Sequence, residues 1–219
     1  MISAYAFWLI IHLLLFAYWL GGDLGVFYSS FVVADAERSV DDRKTAAGIL
    51  IGLDRVPRIC LILMLPVGVS LAASIGQLAL PAGALLGIWL LAGIWLGMLW
   101  HIEKTHHATT TKVDAFVRIV VILALAGFAV AGLTDSGPVK SDWVAIKMLL
   151  FATAITCGLM IRKVFAPFGA AFGQLVTQGS SPAVEQTIDE SLKKSRPFVI
   201  VIWLCLIAAA AVAAIKPAI

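Results

Sequence analysis

Residues 5–22 read YAFWLIIHLLLFAYWLGG, an apolar run with no formal charge and a single histidine, and the next residue is Asp23. Eighteen such residues on a helix span about 27 Å, close to the hydrocarbon thickness of a bilayer. The run has no basic stretch ahead of it and no small-x-small motif before Asp23, so it reads as a retained membrane span and not as a cleaved leader. The rest of the chain repeats the theme. Of 219 residues, 61% are hydrophobic and only 13% charged, and the mean hydropathy is +1.00. A soluble domain of this length cannot bury that much apolar surface.

Further spans are expected over residues 59–80, 81–101, 113–133, 143–161 and 198–215. The fold class is therefore all-α: a polytopic bundle of six transmembrane helices in a single integral membrane domain, residues 1–219. Thirteen of the sixteen lysines and arginines fall in the connections after spans 1, 3 and 5 or at their edges; only Lys140, Lys147 and Lys216 lie on the other side. The positive-inside bias then puts both termini on the periplasmic side of a bacterial inner membrane. The formal net charge of +3 follows this placement and implies no nucleic-acid partner. Compatible partners are the lipid bilayer, a quinone or porphyrin substrate, and a second copy in a homo-oligomer.

The connections carry less. SPAVEQTIDESLKKS places Val184, Ile188 and Leu192 four residues apart behind Ser181-Pro182, which predicts a cytoplasmic amphipathic helix over about 182–194, lying on the membrane surface. The stretch DAERSVDDRK after span 1 reads as a solvated turn or helix extension. Cys60, Cys157 and Cys205 each fall in a different span with no metal-ligand spacing and read as small apolar fillers. Gly83, Gly87, Gly93 and Gly97 form small-xxx-small pairs that predict close helix packing along span 3.

His12 and Asp23 are eleven residues apart, about three helical turns or about 16 Å, so they share one face of span 1 with Tyr5, Trp8, Phe16 and Trp19. Ionisable groups inside a membrane turn toward the bundle interior and find partners. Lys147 lies at the depth of His12. Asp23 shares its depth with Arg55, Arg58, Arg118 and His101. Two sites are expected: an outer His12/Lys147 pair and an inner basic cluster holding Asp23 and Asp54 as structural ion-pair partners. The inner group reads either as interfacial pairing, Asp54 with Arg58 and Asp114 with Arg118 at i,i+4 spacing, or as an anion site for carboxylates such as haem propionates. His101, Glu103, His106 and His107 form a weaker candidate for a transition metal, and the methionines show no ladder of the kind copper transporters use. For His12 three readings stand: axial ligand of haem b, copper ligand, or packing and proton-relay residue. Lys147 reads as a second ligand, a proton donor in catalysis, or a snorkelling lysine.

Four stretches taken together, HLLLFAYWLGGDLGVFY (12–28), LDRVPRICLILMLPVGV (53–69), DWVAIKMLLF (142–151) and SRPFVIVIWLCLIAAAAVAAIKP (195–217), resemble the HemJ-type protoporphyrinogen oxidases and the related CopD-like membrane proteins. The resemblance covers spans 1, 2, 5 and 6 and implies that residues from about 80 to 133 are an inserted helical pair. It also implies haem b as cofactor, with His12 and Lys147 at the family's functional histidine and lysine, and a redox step on a porphyrinogen or quinone. The CopD side of the resemblance implies a non-enzymatic copper-handling protein or transporter instead.

The orientation is testable directly. A periplasmically active phosphatase fused after Ile219 should be active, and a fluorescent protein fused there should stay dark. A bright fusion overturns the orientation.

Overall fold

The computed structural model describes residues 3–105 and 107–216. Its helices are α1 (Ala4–Ala34), α2 (Val40–Ser74), α3 (Ala82–Thr105), α4 (Ala108–Leu133), α5 (Asp142–Phe165), α6 (Phe168–Gln178) and α7 (Pro182–Ile215). Six are long and apolar enough to cross a membrane, α6 being the short exception. Among the described residues there is no named strand, only an isolated antiparallel bridge between Leu78 and Val139.

The six long helices close into a ring. Each of α1 to α4 packs on its successor, and α7 packs on both α5 and α1. Six traversals bring the start of α1 and the end of α7 to one end of the bundle, here the terminal end. Most of the lysines and arginines gather at the other, the basic end. The ring is filled by one cluster that includes Trp19, Ile62, Trp95, Ile155 and Ile202. Cys157 and Cys205 belong to the same cluster, and with Cys60 they are free, buried thiols that pack as apolar residues.

α1 and α2 are longer than their hydropathy predicts. With 31 residues α1 measures about 46 Å, and α2, with 35, about 52 Å. Both run past the hydrocarbon layer at the basic end. There Val33, Leu50, Phe168, Leu175, Ile188 and Leu192 form a second apolar cluster from α1, α2, α6 and α7. This corrects the expectation for residues 182–194. Val184, Ile188 and Leu192 do recur on one face, but that face is buried in protein and not in lipid. The helix does not stop before the last span; it runs through Pro197 as one rod of 34 residues. Arg43, only 1% exposed, locks it in place: Nη1 and Nη2 donate to the two Glu185 oxygens at 2.8 and 2.7 Å, and Nε donates to the Val33 carbonyl at 2.9 Å. The bidentate geometry uses the planar fork that lysine lacks.

Local chemistry sets the ends. Ser39 accepts the Asp42 amide at 3.1 Å, and Asp41 and Asp42 occupy the first turn of α2, where the exposed amides and dipole favour acids. DAERSVDDRK is therefore a short turn followed by the start of α2. Ser181 caps α7 with Pro182 in its first turn, a pairing suited to proline's missing N–H. At the terminal end the 75–81 and 134–141 connections are stitched by Ala79 N–H to the Pro138 carbonyl and Lys140 N–H to the Gln77 carbonyl, each 3.0 Å.

The glycines of α3 do not serve close packing inside the chain. A Cβ placed at Gly83, Gly87, Gly93 or Gly97 meets nothing within 4 Å; α3 instead buries Ala92, Trp95 and Leu99. The close approach lies elsewhere, between α1 and α2. A Cβ at Gly22 would come within 2.9 Å of the Pro57 ring, and that ring cannot rotate away.

Gly22→Val should therefore cost about 1–3 kcal/mol by overpacking, read as a lowered melting temperature in detergent. Gly21→Val, where a Cβ meets nothing within 4 Å, should leave melting nearly unchanged. Equal effects would mean that the α1/α2 crossing tolerates separation.

Candidate functional site

The polar side chains inside the ring fall into two groups at different depths. Nearer the terminal end is His12. Its imidazole lies against α2 where Gly68 leaves room: a Cβ there would sit 3.6 Å from Cε1 and 3.9 Å from Nδ1. Nδ1 is sealed from the surface and has no hydrogen-bond partner among the described residues. A buried polar nitrogen without a partner costs about 1–3 kcal/mol, so the position is energetically unfavourable unless something else engages the ring. Lys147, reaching in from α5, is near enough to interact electrostatically with His12. It forms no ion pair among the described residues. Its Nζ stands 5.9 Å from the centre of Trp143, and Lys216 stands over the same ring at 5.9 Å.

Aromatic side chains wall this region. Trp8, one turn outward from His12, packs on Trp89 of α3 at 5.7 Å. The Trp89 Nε1 donates to Ser70 Oγ at 3.1 Å, and Ser70 donates to the Pro66 carbonyl at 2.7 Å. Phe16 and Trp19 pack in the interior. Tyr5 departs from the expected stripe; it lies in the first turn of α1 and is 46% exposed.

Nearer the basic end the organising group is Asp114, with no exposed surface. Trp95 Nε1 donates to its Oδ1 at 2.7 Å. Arg118 Nε donates to its Oδ2 at 2.9 Å, and Arg162 Nη1 lies 2.6 Å from the same oxygen. One carboxylate thus ties α3, α4 and α5. Arg118 is 4% exposed, and its guanidinium stands over Trp95 at 5.5 Å. Arg58 of α2 is close enough to Arg118 to act on it electrostatically. Its own partner is Asp54, one turn back on the same helix. Arg55 pairs with Glu103 at 3.3 Å and is largely exposed.

Several expected roles shift as a result. Asp23 is buried, 8% exposed, but among the described residues it forms no ion pair, and its Oδ2 has no hydrogen-bond partner. It faces Asp54 across the α1/α2 interface, so an acid and not an arginine is its charged neighbour. The arginines are balanced by Asp54, Glu103 and Asp114, acids on their own or adjoining helices. Arg55, Arg58 and Arg118 also sit at the wrong depth to share one planar ligand with His12. Arg58 and Gly68 are ten residues apart, about 15 Å along α2, with Trp19 and Phe151, 6.1 Å apart, between the levels.

His101 is exposed at the basic end, its ring 6.4 Å from that of His107, and Glu103 is engaged by Arg55. His106 lies outside the described residues. Among those described, no three His, Cys, Asp or Glu side chains gather in a way that would hold a metal.

Sequence reading missed Arg162 and Trp95. Arg162 lies one residue beyond the expected end of span 5 and so reads as an interfacial cation. Trp95 reads as apolar filling, although a tryptophan deep in a span carries an N–H that needs an acceptor, and that need was the available signal.

No protein-family model, curated protein or solved structure matches this chain.

The knot around Asp114 carries a sharp expectation. Asp114→Asn leaves Arg118 and Arg162 without their counter-charge, and breaking a buried pair in this way costs about 3–5 kcal/mol. Asp54→Asn opens a pair whose side chains are about a third exposed and should cost under about 1 kcal/mol. Thermal unfolding in detergent reads both; equal small losses would show that the knot contributes little to stability.

Proposed function

We propose that this multi-pass membrane protein is a haem b-dependent oxidoreductase of the bacterial inner membrane, in which His12 would hold the haem iron. Its substrate is hydrophobic, a porphyrinogen or a quinone that reaches the site from the bilayer. One observation carries the reading: the buried Nδ1 of His12 has no partner in a wall of aromatic side chains. The residues around it suit a haem. The imidazole is a usual axial donor, Gly68 keeps its neighbourhood free of a side chain, and Lys147 adds an amine at the same depth. The haem carboxylates would be held by Lys140, Lys147 and Lys216, the cations at this end, because Arg55, Arg58 and Arg118 lie at the other.

When bound, the haem supplies one-electron exchange. The chain does the rest. Packing of α1 against α2 beside Gly68 would hold the imidazole in place, which preorganises its lone pair. Trp8, Trp89 and Phe16 exclude water, which strengthens every electrostatic interaction nearby. Lys147, held at Nζ near Trp143, is placed to accept, in its neutral form, a proton released when a porphyrinogen or quinol is oxidised.

A visible spectrum of the purified protein tests this. The wild type should show a Soret band with sharp reduced α and β bands. His12→Ala should lose or shift it without preventing membrane insertion, since one apolar replacement does not disfavour a span. Lys147→Ala should keep the Soret band and lose turnover if the lysine moves protons, whereas a changed ligand-field spectrum marks it as the second axial ligand. Full haem loading in His12→Ala overturns the ligand assignment, and copper without haem in the wild type overturns the whole reading.

A further inference from the structure

The knot at the basic end holds more cation than its acid can answer. Both Asp114 oxygens are engaged: Oδ1 accepts from Trp95 and Oδ2 from Arg118, with Arg162 at ion-pair distance from Oδ2. Two guanidinium groups share one carboxylate charge, and the third nearby, Arg58, is neutralised by Asp54. An uncompensated positive charge in this setting is costly.

The donors tell the same story. Among the described residues, Arg118 donates to Asp114 through Nε. Arg162 lies at ion-pair distance from Asp114, yet its Nη1 is sealed from the surface without a hydrogen bond, so its N–H groups are not aimed at that oxygen. Arg118 of α4 and Arg162 of α5 therefore bring guanidinium donors from two helices to one carboxylate, with Arg58 of α2 within electrostatic reach of Arg118. The side chains of Arg58 and Arg162 are 40% and 29% exposed, which leaves a way in from the basic end, while Arg118 forms the buried back wall.

We infer that Arg118 and Arg162, which meet at Asp114, bind one phosphate-bearing anion. A phosphate presents several acceptor oxygens, and planar guanidinium forks from different directions match it better than they match the single oxygen they now share. The setting favours a lipid as its source. Trp100 is exposed on α3 with Lys104 over its ring at 4.7 Å, an aromatic-cation pair typical of the headgroup level, and lysines and arginines at such a level attract anionic lipids. The site is independent of the haem assignment: it uses none of the residues near His12 and lies about 15 Å from them along α2.

The test uses the full chain, delipidated in neutral detergent, with phosphatidylglycerol, phosphatidylcholine and inorganic phosphate as probes. Native mass spectrometry should show one phosphatidylglycerol retained in preference to phosphatidylcholine, and the melting temperature should rise with it. Arg162→Gln should weaken retention on the order of tenfold, as expected for losing charged hydrogen bonds. Arg162→Lys keeps the charge and loses the fork, and should recover only part of the retention; it also serves if the glutamine variant fails to fold. Lys193→Gln with Lys194→Gln removes two exposed charges from the same end and should change nothing. A rise in melting with inorganic phosphate equal to that with lipid supports the anion site and assigns it to a soluble ligand. No preference for phosphatidylglycerol and no response to phosphate overturns the proposal, as does equal loss of retention in the Lys193/Lys194 double variant. Haem content should be unaffected throughout, so failure here leaves the His12 reading intact, and the reverse.

Discussion

A bilayer offers no water to a polar group, so whatever charge a membrane helix carries inward must be answered by another helix. The carboxylate of Asp114 is where this protein meets that constraint most fully. It draws an indole N–H from α3 and guanidinium groups from α4 and α5, and it does so without any exposed surface. α3 and α4 otherwise present much leucine, isoleucine and phenylalanine to the outside, and apolar contact between helices gains little where the surrounding lipid is equally apolar. The polar knot gives these helices a fixed depth and rotation that dispersion alone would leave loose.

The two polar levels divide the molecule. At the basic end the charges are many, mostly paired and tied to neighbouring helices. At the terminal end they are few: among the described residues the His12 Nδ1 has no hydrogen-bond partner and Lys147 forms no ion pair. Between them Trp19, Ile62 and Ile155 pack the ring. A structural role predicts satisfied groups and a ligand-binding role predicts groups in waiting, and the proposal for His12 rests on that contrast.

The sequence made the span count, the approximate span positions and the start of α7 legible, because hydropathy over about twenty residues and an N-capping serine before proline are local signals. The juxtaposition of His12 with Lys147 was also readable, since depth along a helix follows from residue number once the span ends are placed. What was not readable depended on rotation and tilt. Asp23 shares a depth with the arginines, but on α1 it faces Asp54. The glycines of α3 have the spacing of a packing motif, yet spacing cannot say which way the helix is turned. The continuity of residues 182–194 with the last span was hidden because Pro197 and a cluster of charges resemble a boundary, whereas the buried Arg43–Glu185 pair joins residues 142 positions apart. α6 left too short an apolar signature to register as a membrane span.

The closed ring also dictates an order of manufacture. Helices enter a membrane from the ribosome one after another, and α1 must lie beside α7, made after the other six. Until α7 arrives, the flank of α1 that it will cover faces lipid, and Arg43 has no Glu185 to hold. A nascent chain that has not yet made α7 is therefore an open crescent carrying a stranded guanidinium, and completion of α7 is the step that turns a row of hairpins into a sealed object. Chains interrupted before that step carry a built-in mark of incompleteness, legible to any quality-control machinery that recognises unpaired charge at the membrane surface.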